Sequence, residues 1–492
     1  MSFVNTRVPI NQVELSSKFG AEGINALNYK TLVFAQALDT GTIVAGDLNT
    51  PKLFSSESSV RAFSGAGSQA HLIAKSYFKN NVTNELWIIF TSIDDPTSSS
   101  NKAVGDITFS GTATEAGNLQ IYIGNNKLTV PVASGDAADD VKDSVVALIA
   151  SEGADYAAIG ADGGVGIVDI TAKNVGEEGL DITVDVNRYD GDNEVAGITY
   201  VITQPTGSLT NGSLATAIAG IGNGWYNAWI SSTRDDTNYA LLKAELDSRF
   251  GPTIRQDSLC FISRNDSYAN LITYGSGKDS RMFTSMGIKE TLSSQIEWDA
   301  AICGGYLAKL SSGIGKESAP TKNIKLVGVN APKTEFTFTE QTALLNNGIA
   351  TYELNSAGEV ITSRIISQYQ TDDVGSPSEL WLDATSIFTG MYLRWSWYNR
   401  ITAKYSDAKL ADNAERIGFN QTVLTPNVGA AEALNWFLEM ESLGLVEDKQ
   451  AFLDRLVAVR NATDPTKFDW ELVPDLVNPF YGSNTTLAPT LQ

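Results

Sequence analysis

Histidine and cysteine are nearly absent: the 492-residue chain carries one histidine, His71, and two cysteines, Cys260 and Cys303. A structural zinc site needs three or four such ligands at regular spacing, so none is expected. A catalytic triad would have to recruit His71, which lies in SGAGSQAHLIAKSYF, the opening of an amphipathic helix. The plainer reading is a histidine on a helix surface or at an interface. Two lone cysteines make no disulfide framework and read as free buried thiols. Positive charge is also scarce, since 35 Lys and Arg face 57 Asp and Glu and leave a net −22. That surface repels phosphate backbones and anionic lipid, which excludes nucleic-acid binding as a main function. No apolar run approaches the roughly 20 residues of a membrane span; the densest, LWIIF at 86–90, has the length of a strand. The opening MSFVNTRVPINQVELSSKF lacks a basic segment followed by an apolar one, so no secretory signal is expected. The sequons at Asn81 and Asn420 therefore carry no information.

What is present is 42% hydrophobic residues spread over a length that suits about three domains. Residues 1–20 alternate loosely through Val8, Ile10, Val13 and Leu15 with no partner strand nearby. Next come a strand (31–38), a helix from Gly67-Ser68 to Asn80 and a strand (85–93), a β–α–β unit whose second strand is apolar enough to be buried on both faces. After the polar stretch 94–106 the chain turns Gly-, Thr- and Val-rich. Short alternating strands, hairpin turns at Gly124-Asn125-Asn126 and Asp162-Gly163-Gly164, and one helix (136–152) capped by Asp136 are expected there. The α/β rhythm resumes after QPTGSLTNGS with strands WYNAWISS and SLCFISR and helices DTNYALLKAELDSRF, SYANLITYG and IEWDAAICGGYLAKLSS. Beyond 339 the pattern predicts a short helix, a hairpin around Asn355 to Gly358, and a long helix (379–405). That helix carries an aromatic stripe of Trp381, Phe388, Tyr392, Trp395 and Tyr398, read as core. Two more helices and an extended tail follow, with a Thr463-Asp464-Pro465 turn between two strands.

The fold class expected is α/β and α+β multi-domain. An extended arm (1–20) precedes an α/β domain in two parts (21–105 and 206–338), which are interrupted by a small β-rich inserted domain (106–205). A C-terminal α+β domain (339–492) ends in a second arm.

No motif carries catalysis. Gly65-Ala66-Gly67-Ser68 leads into a helix without the Gly-Lys-Ser/Thr of a P-loop and reads as a cap. Gly275-Ser276-Gly277-Lys278-Asp279 ends in Asp where a phosphate loop needs a hydroxyl, and the glycines at 220–224 precede a strand instead of following one. Asp190-Gly191-Asp192-Asn193-Glu194 misplaces the glycine and final Glu of a calcium loop and reads as a solvated hairpin loop. With 57 acidic residues, carboxylate pairs arise by chance and select no glycosidase site. No cofactor, metal or catalytic residue is assigned. What stands out is architectural: terminal strands without local partners, which are open edges for another chain.

The segments GSQAHLIAKSYFKNNVTNELWII (67–89), GTATEAGNLQIYIGNNKLTVPV (111–132), EQTALLNNGIATYELNSAGEVITSRIISQYQT (340–371) and GLVEDKQAFLDRLVAVRNATDPTKFDWELVPDLVNP (444–479) resemble, in this order, the Mu-like tail sheath proteins of contractile bacteriophages. The resemblance implies a structural protein of the virion, made in the host cytoplasm. It implies subunits stacked as hexameric rings around a tail tube, which contract to drive the tube through the host envelope. Implied partners are the chain itself, the tail tube protein, and the baseplate and tail terminator proteins, with neither nucleic acid nor membrane insertion. It also implies arms that add strands to neighbouring subunits: here Val8, Ile10, Val13 and Leu15 at one end, and Phe468, Trp470, Leu472 and Val473 at the other. Arg394, Arg400, Lys404 and Lys409 are candidates for a face toward the tube, beside the simpler reading of a solvated helix face. The alternatives are a non-contractile virion protein or adhesin and, more remotely, a carbohydrate-active enzyme.

Overall fold

A computed structural model describes residues 26–413 and 422–488. The candidate strand Val8 to Leu15 lies outside the described residues. The chain is a mixed α/β protein with several sheets, and its contacts divide it into two compact units, the larger formed mainly by Asn28–Met391 and the smaller mainly by Tyr392–Asn478.

In the larger unit, a six-stranded sheet runs in the order Phe283–Thr284, Leu259–Phe261, Ala228–Ser231, Lys30–Leu38, Glu85–Asp94 and Lys52–Phe54. Its strands are parallel except the last, which is antiparallel. The central strand Lys30–Leu38 is buried from Thr31 to Leu38, as a parallel strand covered on both faces must be. On one face Trp229, Phe34 and Cys260 pack with Leu242 and Leu246 of the helix Asp236–Phe250. Helix Gln69–Asn80 lies against helix Gln295–Leu310, where Ser76 Oγ donates to the Glu297 carbonyl at 2.6 Å. The approach is close at Gly304, where a Cβ would stand 3.1 Å from the Tyr77 carbonyl oxygen, tighter than an ordinary contact.

Between 104 and 206 a β-rich module builds its own core. A four-stranded antiparallel sheet (Ile198–Thr206, Val104–Gly111, Ile167–Ala172, Ala158–Gly164) and a three-stranded one (Asn126–Val132, Gly117–Ile123, Val184–Val186) enclose Ile107, Phe109, Ile121, Val130, Val145 and Ile170 with the helix Ala138–Glu152.

Several local expectations shift. Strand Ala158–Gly164 runs through the expected turn at 162–164, and the chain reverses at Val165-Gly166, where Gly166 takes φ +71°. The module's helix starts at Ala138. Asp136 accepts from the Ala133 amide at 2.7 Å, and Asp140 reaches back to the Ala137 amide at 2.9 Å. The long helix spans Ala384–Lys404, leaving Trp381 outside it; its stripe is core at Phe388 and Tyr392, Trp395 is half-buried against that core, and Tyr398 is 44% exposed.

His71 is wholly buried, not on a surface. The Gly67 amide donates to its Nδ1 at 3.0 Å, which puts the ring proton on Nε2, 2.7 Å from Glu57 Oε1. Both ring nitrogens are satisfied in the neutral form, which lets the ring sit inside the helix pair Glu57–Ser64 and Gln69–Asn80. The cap at Ser68 is as expected, its Oγ accepting from the His71 amide at 3.1 Å. Cys260 and Cys303 are free and buried, again as expected.

Candidate functional site

The candidate surface residues within the described chain all fall in the smaller unit. Its core gathers Tyr392, Leu393, Trp436, Phe437, Met440 and Phe452, with Phe437 stacked on Phe452 at 4.4 Å. Helix Pro426–Ser442 begins under a Thr425 cap with proline in its first turn, a start that costs no backbone bond.

Phe468–Glu471 pairs antiparallel with Val457–Arg460 in the register Val457 to Glu471, Ala458 to Trp470, Val459 to Asp469 and Arg460 to Phe468. The connecting turn is tied by Asn461 Oδ1, which accepts from the amides of Thr463 at 2.9 Å and Asp464 at 2.7 Å. One face of this ribbon, with Phe468 and Trp470, packs inward; the other, with Val457, Val459 and Asp469, is exposed. Trp470 meets Trp397 edge-on at 5.5 Å. Leu472 joins the same core, and Val473 is 36% exposed. Farther along, Asp475–Leu476 pairs antiparallel with Val446–Glu447. Among the described residues each ribbon strand has one strand partner, and neither outer edge is paired.

The basic candidates do not form one free face. Arg400 Nε and Lys404 Nζ both bond to Glu432, Arg400 Nη1 lies 2.6 Å from Glu439 Oε2, and Tyr405 donates to Glu432 Oε2 at 2.9 Å. Arg400 and Glu432 side chains are only 15% and 4% exposed. Burial pushes the Glu432 carboxyl up, but the bonds from Lys404, Arg400 and Tyr405 outweigh it and hold the carboxyl below its ordinary value. Arg394 is half-buried on the same helix, and Lys409 lies on a short strand paired in parallel with Val423–Leu424. Glu432 was missed in the sequence. Its signal is two carboxylates at 432 and 439, on one face of a helix, opposite two cations four residues apart on another.

Nothing in this arrangement presents a nucleophile, base or ligand set, and no group of three or more metal-binding side chains occurs among the described residues. The Asp190 to Glu194 segment is not a solvated hairpin loop: it joins Val184–Val186 and Ile198–Thr206, strands of two different sheets, and the Asp192 side chain is buried against the separate hairpin of Gly117–Ile123 and Asn126–Val132, accepting from Tyr122 at 2.8 Å and Lys127 at 3.0 Å.

No protein-family model matches the chain. Over 476 residues, 96% of this chain and 95% of the relative, it is 28% identical to the Mu-like prophage FluMu tail sheath protein of Haemophilus influenzae. The chain is a homologue of a Mu-like phage tail sheath protein. Such homologues are structural tail sheath proteins and not enzymes. Solved structures that are similar to it include a sheath tail protein from Desulfitobacterium hafniense, 11% identical, with 95% of this chain and 100% of that one covered at a TM-score of 0.48. Another is the contracted sheath of an extracellular contractile injection system, 10% identical, with 100% and 99% covered at a TM-score of 0.49.

Proposed function

We propose that this homologue of a tail sheath protein is the subunit of a contractile phage tail sheath. It polymerises as stacked hexameric rings around the tail tube and contracts to drive the tube through the host envelope. The observation that carries this reading is the match to a tail sheath protein along 96% of the chain. On this reading the protein belongs to the virion and meets the tail tube, the baseplate and the tail terminator. The N-terminal arm (1–20) and the C-terminal strands add to sheets of neighbouring copies. The α/β body (21–105 and 206–338) and the outer β-rich insert (106–205) surround an inner C-terminal domain (339–492).

The open-edged ribbon at 457–460 and 468–471 supports strand addition, because a two-stranded sheet is marginal and gains from a third strand. Its inward Trp470, with Phe468 against it, packs on the core of its own subunit, so pairing with a neighbouring copy takes place along the ribbon's outer edge. Contraction then exchanges interfaces between nearly rigid subunits, released from a metastable extended state held by a kinetic barrier.

Negative-stain electron microscopy of the purified chain, alone and co-expressed with a tail tube protein, tests this. Hollow tubes of uniform diameter with a helical repeat are expected; monomers or closed trimers under both conditions would overturn it.

A further inference from the structure

The seam between the 104–206 module and the α/β body carries polar contacts beside apolar ones such as Leu72, Ile182 and Ile296. Asn174 Nδ2 donates to Asp94 Oδ2 at 2.9 Å, Thr183 Oγ1 to the Thr291 carbonyl at 3.2 Å, and Asn125 Nδ2 to the Gly328 carbonyl at 2.5 Å. One part of this seam is ionic and buried. Arg234 Nε donates to Glu178 Oε1 at 3.0 Å, its Nη1 to the Ser263 carbonyl at 2.7 Å, and its Nη2 lies 3.1 Å from Asp299 Oδ2. Glu178 belongs to the module's turn Glu177–Asp181, whereas Asp299 belongs to the body's helix Gln295–Leu310. The same turn supplies Asp181, which accepts from the amide of Gln295, the first residue of that helix. Side-chain exposure is 12% at Arg234, 8% at Glu178 and 1% at Asp299.

We propose that Arg234, Glu178, Asp181 and Asp299 form a buried charge latch that holds the module on the body and loosens as the pH rises. One guanidinium cannot neutralise three carboxylates. With all of them ionised the site carries a surplus of negative charge that burial disfavours, so the closed latch retains at least one proton. Burial pushes the Glu178 carboxyl up to about 8 against the pull of Arg234, and pushes Asp181 and Asp299 up to about 6.

The surrounding charges do not reverse this. Asp235 is committed to capping helix Asp236–Phe250, and Asp236 to Lys278 at 2.8 Å. Glu177 accepts from Asn211 at 3.1 Å, Arg264 faces Asp266 at 3.8 Å, and Glu297 is held by Ser294 at 2.9 Å. The Cys260 thiol beneath Asp299 is kept protonated by its burial. A cavity of about 550 Å³ lined by Glu178, Asp181, Arg234 and Arg264 gives solvent a route to the proton. Carboxyls raised in the folded state contribute fully at low pH and lose that contribution as the pH climbs, for Glu178 between the ordinary 4.5 and about 8. This inference does not depend on the sheath reading.

Limited proteolysis of the full chain with a broad-specificity protease, normalised at each pH on an unstructured peptide, tests it at the segments joining module to body, 95–103 and 207–213. Cleavage there is expected to rise about tenfold between pH 6.5 and pH 9, the scale set by release of one proton. Glu178→Gln keeps an acceptor for Arg234 without the charge and should remove most of that rise. If its circular dichroism shows that it does not fold, Asp299→Asn, which keeps an acceptor for the Ser263 amide, is read instead. Equal cleavage of the wild type at both pH values, or an undiminished rise in the folded variant, overturns the latch.

Discussion

The indole Nε1–H of Trp470 donates to the carbonyl oxygen of Gly429 at 3.2 Å, joining the C-terminal ribbon to the first turns of helix Pro426–Ser442. The bond exists because residue 429 has no side chain: a Cβ there would stand 2.6 Å from the Phe468 ring and 3.2 Å from that same indole nitrogen.

Gly429→Val therefore overpacks the seat of the ribbon. A destabilisation of about 1–3 kcal/mol is expected from forcing the two rings aside, visible as a lower melting temperature and altered near-ultraviolet dichroism of the tryptophans. An unchanged melt would mean that the ribbon does not depend on this contact.

Glu432→Gln removes the anion shared by Arg400, Lys404 and Tyr405. The loss should be roughly 1.5–3 kcal/mol at pH 7, the range for a hydrogen-bonded charged group. Because the Glu432 carboxyl is held below its ordinary value, its contribution is present above pH 4.5 and fades as the pH falls through the lower folded value. The variant's chemical-denaturation profile should accordingly lose part of the acid-side decline shown by the wild type.

His71 is the chain's one histidine, so its imidazole resonance is assigned by composition. Burial lowers its pKa, although the bond to Glu57 opposes the shift. Protonating Nδ1 would also set two N–H groups against each other across the 3.0 Å contact with Gly67. The NMR titration midpoint should lie below 6.5, and since the unfolded chain takes up this proton first, stability should fall as the pH drops below that value. A midpoint at or above 6.5 contradicts the neutral, doubly bonded ring.

Deleting residues 1–17 should leave a folded subunit that forms no long tubes, because the arm proposed here acts between subunits and not within one. Size-exclusion chromatography with electron microscopy reads the outcome, and normal tubes from the deletion would remove the arm assignment.

Element type was legible where patterning was strong. The apolar run of 31–38 and the alternation of strand and helix reflect local periodicity that a parallel sheet imposes on each segment separately. Turn chemistry was legible at Thr463-Asp464-Pro465, where the Asp464 side chain bonds the backbone two residues on; the part played by Asn461 was not. It misled at 162–164, where pairing with Ile167–Ala172 carried the strand past its glycines. The charged groups were the least legible. Arg400 and Lys404 read as a solvated face, since nothing local announces a buried partner 28 residues or more away. Asp299 lay unnoticed in a helix that otherwise reads as apolar, yet it is wholly buried.

The sequence by itself determined the exclusions, the order of elements and the kinship, because each rests on composition, on periodicity or on co-linear likeness. Only the tertiary structure decided that His71 is an interior group, that Glu432 holds two of the candidate basic residues, and that Arg234 faces Glu178 and Asp299. The reason is physical: whether a charge is solvated or buried depends on which distant segments the fold stacks around it, and no local pattern carries that information.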